Sequence, residues 1–318
     1  MKCDVLFLYM TFLLTIVAGP GLGQVTVNPT SVSFNINSKA LYTNGTSATY
    51  SNQITRTLAL ALLANIRLVI SANSNALTNG SNTIPLNNVT VQVASVKIGN
   101  SPVSGTFPVI HLTNGNQELM TNTTALLSLG AKLTISLKYS VQGGVNLLKP
   151  GGSYTTGLNC ALYIGSSSFP FTIAPLSVNL VDISTITLQN GANTASLNFT
   201  TAANYKNGVQ LIQGSALNIF SNRSYNVAVQ SATNLKSGLN FIDISSIGLT
   251  PTSNPLSTGV DALTQTLSLT AQNIITSSIP TLSQNFDLRY FTQPRNASFI
   301  NKPVGTYSTT LTYTLTAP

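Results

Sequence analysis

One alternation constrains this chain more than any other feature. From Tyr307 to Leu315, Tyr307, Thr309, Leu311, Tyr313 and Leu315 interleave with Ser308, Thr310, Thr312 and Thr314. A period of two belongs to a strand with one buried face, and the β-branched and aromatic residues reinforce that assignment. The same alternation runs through residues 89–93, 133–137 and 225–229. Turn signals at Asn44-Gly45, Asn79-Gly80, Asn114-Gly115 and Asn207-Gly208 punctuate the runs, each with a residue that accepts positive φ. Many short strands at this spacing predict an all-β sandwich.

The pattern occurs twice. Tyr42-Thr43-Asn44-Gly45 recurs as Tyr205-Lys206-Asn207-Gly208, Leu58-Ala59-Leu60 as Leu217-Asn218-Ile219, and Leu68-Val69-Ile70 as Val227-Ala228-Val229. Leu137-Lys138-Tyr139 returns as Leu288-Arg289-Tyr290, and an ungapped block from Lys149 to Leu158 returns from Lys302 to Leu311. The order is kept while the offset drifts from 163 to 151, as loop insertions would make it do. The repeat predicts two β-sandwich domains, 24–168 and 174–318, joined near Pro170 and Pro175, which are read as interruptions of pairing. It also favours a strand over a helix for residues 58–63, because the matching segment carries Asn218 and Phe220.

Residues 1–23 read as an export signal. Lys2 supplies the positive start, residues 5–17 an apolar run, and Gly21 and Gly23 the small residues before cleavage ahead of Gln24. The run has 13 residues, short of the ~20 a membrane-spanning helix needs. Loss of the signal removes Cys3 and leaves Cys160 alone, so no internal disulfide can form and stability must come from core burial.

Catalytic residues are scarce. Only 6% of the 318 residues are charged, and His111 is the single histidine. Glu118, Asp182, Asp243, Asp261 and Asp287 are dispersed, with no local carboxylate pair or calcium loop. No catalytic, cofactor-binding or metal residue is predicted, and the chain is expected not to be an enzyme. The formal charge of +8 is spread without a basic cluster, which argues against nucleic acid as a partner. Asn-x-Ser/Thr sequons occur at Asn44, Asn79, Asn88, Asn122, Asn198, Asn222 and Asn296. Cys160 and the repeated tyrosines 139, 154, 290 and 307 are expected to pack, although exposed tyrosines would suit a sugar-stacking platform.

The Lys-Pro-x-Gly-Ser/Thr-Tyr block at Lys149 and Lys302, followed by an alternating strand, resembles the closing strand of pilin-like subunits. The chain as a whole resembles tandem immunoglobulin-like domains of exported bacterial surface proteins. The resemblance implies two antiparallel sandwich domains and a secreted or cell-surface protein with a structural or adhesive role. A carbohydrate-binding β-sandwich module is the alternative. The partners this admits are a surface polysaccharide, another protein, or a second copy through an edge strand, with no transmembrane segment in the mature chain. The strand from Tyr307 to Leu315 has no charge and no proline, so its edges must be covered within its own sheet or by a neighbouring chain.

Overall fold

The computed structural model describes residues 23–58, 63–127 and 129–317. The expected signal segment 1–22 lies outside the described residues. So do residues 59–62, where a strand is predicted. Among the described residues the chain is all-β, with two short α-helices at Lys39–Asn44 and Ala202–Asn207. Two separate apolar clusters each lie between a pair of sheets.

In the first unit, one sheet runs Thr26–Val27, Gly45–Thr57, Lys132–Gln142, Val89–Ile98, Ser101–Pro102. The other runs Gln117–Leu126, Leu63–Ala72, Gly152–Ile164, Ser167–Leu180, Val32–Ile36. In the second unit, one sheet runs Ser184–Leu188, Gln210–Ser221, Thr281–Thr292, Ile247–Asn254, Gln265–Thr266. Its partner runs Val260–Ala262, Gln272–Ser277, Tyr225–Ser231, Leu311–Thr316. Among the described residues all ladders are antiparallel except one, in which Ser167–Leu180 lies parallel to Val32–Ile36.

The units share register residue by residue. Leu158, Cys160 and Leu162 face Ala72, Ile70 and Leu68 across one ladder, and Leu311, Tyr313 and Leu315 face Ser231, Val229 and Val227 across the other. Tyr154 Oη donates to the Pro150 carbonyl at 2.8 Å, and Tyr307 Oη to that of Pro303 at 3.0 Å. Both short helices start at a hydroxyl N-cap, Ser38 or Thr201, and end at a glycine with φ near +76°, Gly45 or Gly208. A Cβ at either glycine would run into a backbone carbonyl, of Val141 or Thr292. One sequence match shifts. Ile135 pairs with Ile54 where Phe286 pairs with Leu217, so Ile54, not Leu58, is the counterpart of Leu217.

The expected join at 169–173 is corrected. Those residues lie inside Ser167–Leu180, whose Ile173, Leu176, Val178 and Leu180 are buried in the first core. The prolines do not break pairing: Pro170 stands opposite Ala161, and Pro175 sits where the ladder already shifts register. The units meet instead at residues 181–183, so a chain cut at Ala174 would split the first unit's closing strand.

That junction is tightly bonded. Asn222 is 1% exposed; its Nδ2 donates to Tyr42 Oη at 2.9 Å and the Lys149 carbonyl at 3.0 Å, while its Oδ1 accepts from the Ile183 amide at 2.8 Å. Asp182 bridges Gly151 N and Arg223. Phe220 belongs to the first unit's cluster and lies 5.5 Å from the Tyr42 ring.

Cys160 packs between Ile70 and Phe171 on its two neighbouring strands. Burial pushes its thiol up to about 12. An unfolded thiol titrates near ~8.5, so between these values the folded chain keeps a proton that the unfolded chain has released. Stability therefore falls as pH rises through that window. Cys160→Ala is expected to shrink this fall without abolishing it, because burial also raises the hydroxyls of Tyr42, Tyr139, Tyr154, Tyr225, Tyr290 and Tyr313, and to cost about 1 kcal/mol at pH 7. Urea unfolding at pH 7 and pH 10 reads both, and an unaltered fall would rule out the thiol as one of its sources.

Candidate functional site

The residues that carry chemistry are spent singly on the fold. His111 Nδ1 donates to the Asn87 carbonyl at 2.8 Å, and Glu118 pairs with Arg67 at 3.0 Å. Asp243 accepts from the Ser245 amide at 2.9 Å, and hydrogen bonds from Ser245 hold its carboxyl below the usual range. Asp287 accepts from the Ser215 amide at 2.7 Å and from Asn254. Asp261 is exposed. Among the described residues no group of three metal-ligating side chains gathers. Asn88 and Asn222 are buried and hydrogen-bonded, so those two sequons have no room for a glycan. Tyr139, Tyr154 and Tyr290 are buried and Tyr307 is half-buried, which leaves no flat sugar platform among them.

The two units differ at one place. In the first, Gly152–Ile164 is flanked by Leu63–Ala72 on one side and Ser167–Leu180 on the other. In the second, the equivalent Leu311–Thr316 pairs with Tyr225–Ser231, and no described residue pairs with its other edge. The parallel neighbour of the closing strand differs too. Ala195-Ser196-Leu197-Asn198-Phe199 stands at the same offset of 163 from Val32-Ser33-Phe34-Asn35-Ile36 as Tyr205 does from Tyr42. The first-unit segment is a strand and the second-unit segment is not. A strand of this kind needs a partner for its backbone groups, and Ser167–Leu180 is that partner in the first unit only.

Burial maps the consequence. Val32, Phe34, Ile36, Tyr42, Leu147, Tyr154, Leu158, Cys160 and Leu162 are all buried. Their counterparts Ala195 and Tyr205 are exposed, and Leu197, Phe199, Phe299, Tyr307, Leu311, Tyr313 and Leu315 are only half-buried, Phe299 ending the turn Ala297–Phe299 as Leu147 ends Val145–Leu147. Tyr42 and Tyr205 mark the extremes, at 0% and 42%. Phe199 stacks on Phe299 at 4.7 Å and lies 5.0 Å from Tyr205, an aromatic wall at one end. Tyr313 Oη and Tyr290 Oη are 2.6 Å apart on the opposite wall, so Tyr313 is held inward. The result is an apolar trough with an unpaired backbone edge along one side, and the edge has none of the lysines or prolines that usually protect one. The trough can add a strand: backbone hydrogen bonds supply affinity, and alternate side chains supply specificity.

The same unit carries a shallow cleft of about 400 Å³ lined by Asn234, Asp243, Ser245, Ser268, Leu269 and Gln272. In the first unit the equivalent position is bridged by Asn114 Nδ2 donating to Asn75 Oδ1 at 2.6 Å.

No protein-family model matches the chain, and no curated protein matches it. Among solved structures it is similar to a tip adhesin from Pseudomonas aeruginosa, at 10% identity and a TM-score of 0.35, over 93% of this chain and 94% of that one. It is similar to a pilin subunit from enterotoxigenic Escherichia coli at 15% identity and a TM-score of 0.30, over 50% of this chain and 97% of the other. A family 123 glycoside hydrolase from Clostridium perfringens overlaps at 11% identity and a TM-score of 0.24, over 50% of this chain and 27% of that enzyme.

Proposed function

We propose that the chain is a non-catalytic, exported surface protein with a structural or adhesive role, whose second unit takes up an extended strand from another protein. The uptake completes the second sandwich and ties the chain into an assembly. One observation carries the reading: nine buried positions of the first unit are opened in the second, and seven of them, Val32, Phe34, Ile36, Tyr154, Leu158, Cys160 and Leu162, stand in register beside Ser167–Leu180.

The occupant is a strand from a different protein rather than from a second copy. The chain's own matching strand, Ser167–Leu180, is paired on both edges, and giving it up would dismantle the first unit. A peptide copying residues 167–181 is expected to bind the full chain and slow hydrogen exchange at the amides of Leu311–Thr316 by about tenfold or more, since an edge amide gains a ladder bond. Exchange left unchanged at a saturating peptide concentration would sink the reading. Protection that grows with chain concentration, without peptide, would point to a second copy instead. A carbohydrate-binding role is the second reading, favoured by the cleft at Asn234 and Gln272. Saccharide binding lost in Gln272→Ala would support it.

A further inference from the structure

We infer that the strand taken up by the second unit is bulkier at its two central inward positions, and smaller at its last, than the first unit's own Leu176, Val178 and Leu180. This rests on the strand-uptake reading above. In the first unit, register places Leu176 between Thr156 and Val32, Val178 between Tyr154 and Phe34, and Leu180 between Gly152 and Ile36. In the second unit one wall is unchanged in identity: Thr309, Tyr307 and Gly305 stand where Thr156, Tyr154 and Gly152 stand. The whole difference comes from the other wall.

There Val32 becomes Ala195, Phe34 becomes Leu197 and Ile36 becomes Phe199. The first two replacements widen the trough and the third narrows it. Phe199 is braced by Phe299 and Tyr205, so it does not yield to a large incoming side chain. Interiors fill to near-crystalline density, with a cost for every void and every overlap. A copy of Ser167–Leu180 would leave gaps beside Ala195 and Leu197 and crowd Phe199, whereas a strand shifted in size the opposite way would fit.

Three labelled peptides test this against the full chain by fluorescence anisotropy: a copy of residues 167–181, a size-shifted one with Leu176→Phe, Val178→Leu and Leu180→Val, and a counter-shifted one with Leu176→Ala and Leu180→Phe. A fitted methylene is worth roughly fourfold in affinity. The size-shifted peptide is therefore expected to bind about tenfold tighter than the copy, and the counter-shifted one about tenfold weaker. In a chain carrying Ala195→Val and Phe199→Ile, the copy should become the tightest of the three. Ala195 is exposed and Phe199 half-buried, so the variant is expected to fold. Equal affinities for all three peptides, or an order unchanged in the variant chain, would overturn the size inference and leave strand uptake standing. Binding of none of them to either chain, with Leu311–Thr316 still unprotected, would overturn both.

Discussion

A chain in which a copy of residues 165–181 follows Ala317 in place of Pro318 is expected to unfold its second unit about 10–20 °C higher than the unmodified chain. In the first unit Gly165, at a φ of +60°, and Ser166 turn the chain from Gly152–Ile164 into Ser167–Leu180, and the added segment, with its own glycine at that position, repeats the hairpin beside Leu311–Thr316. Burial of Phe299, Leu311, Tyr313 and Leu315 would be completed, each contributing about 1 kcal/mol for the apolar area it still shows to water, and Leu197 and Phe199 would be covered with a poorer fit. Ordering the added strand offsets part of this, and covalent attachment limits that loss. A net gain of about 3–5 kcal/mol moves a transition of this size by the stated amount. Differential scanning calorimetry reads it. The first unit's transition should stay in place, and a second transition that does not move would mean that the trough takes no strand.

Asn222→Ala is expected to cost about 3–5 kcal/mol and to loosen the two units. The side chain satisfies Tyr42 Oη, the Lys149 carbonyl and the Ile183 amide in a site closed to water. Alanine leaves these groups desolvated and without it, at about 1–3 kcal/mol for each one left unpaired. The Arg223–Asp182 pair beside it is about 40% exposed on both sides and adds little by comparison. Thermal unfolding reads the stability, and proteolysis at residues 181–183 reads the loosening. A variant with the parent's melting temperature and protease resistance would show that Asn222 does not hold the joint.

Strand type and duplication were legible because both are local. Alternation in 307–315 reports which side chains share a face without any knowledge of the neighbour, and the repeated Lys-Pro-x-Gly-Ser/Thr-Tyr block carries the same turn and tyrosine bond in both units. The packing of Cys160 also follows from its place opposite Tyr313 in that repeat. The first unit's true end was not legible. Ser167–Leu180 has no described counterpart in the second unit, so self-comparison had nothing to align it with, and Pro170 and Pro175 looked like a linker. The one signal available was the alternation of Phe169, Phe171 and Ile173, continued at Leu176, Val178 and Leu180 with a single skip at Pro175.

Residues 154–162 and 307–315 have the same period, the same inward face of apolar residues and threonine, and the same partner register, yet one strand is interior and the other stands at an edge. Sequence determined that each is a strand and which face turns inward, because side-chain direction alternates along a single chain. Only the tertiary structure decided whether the far edge is covered. That depends on backbone groups contributed by a segment distant in sequence, and a strand's own side chains do not encode whether such a segment arrives.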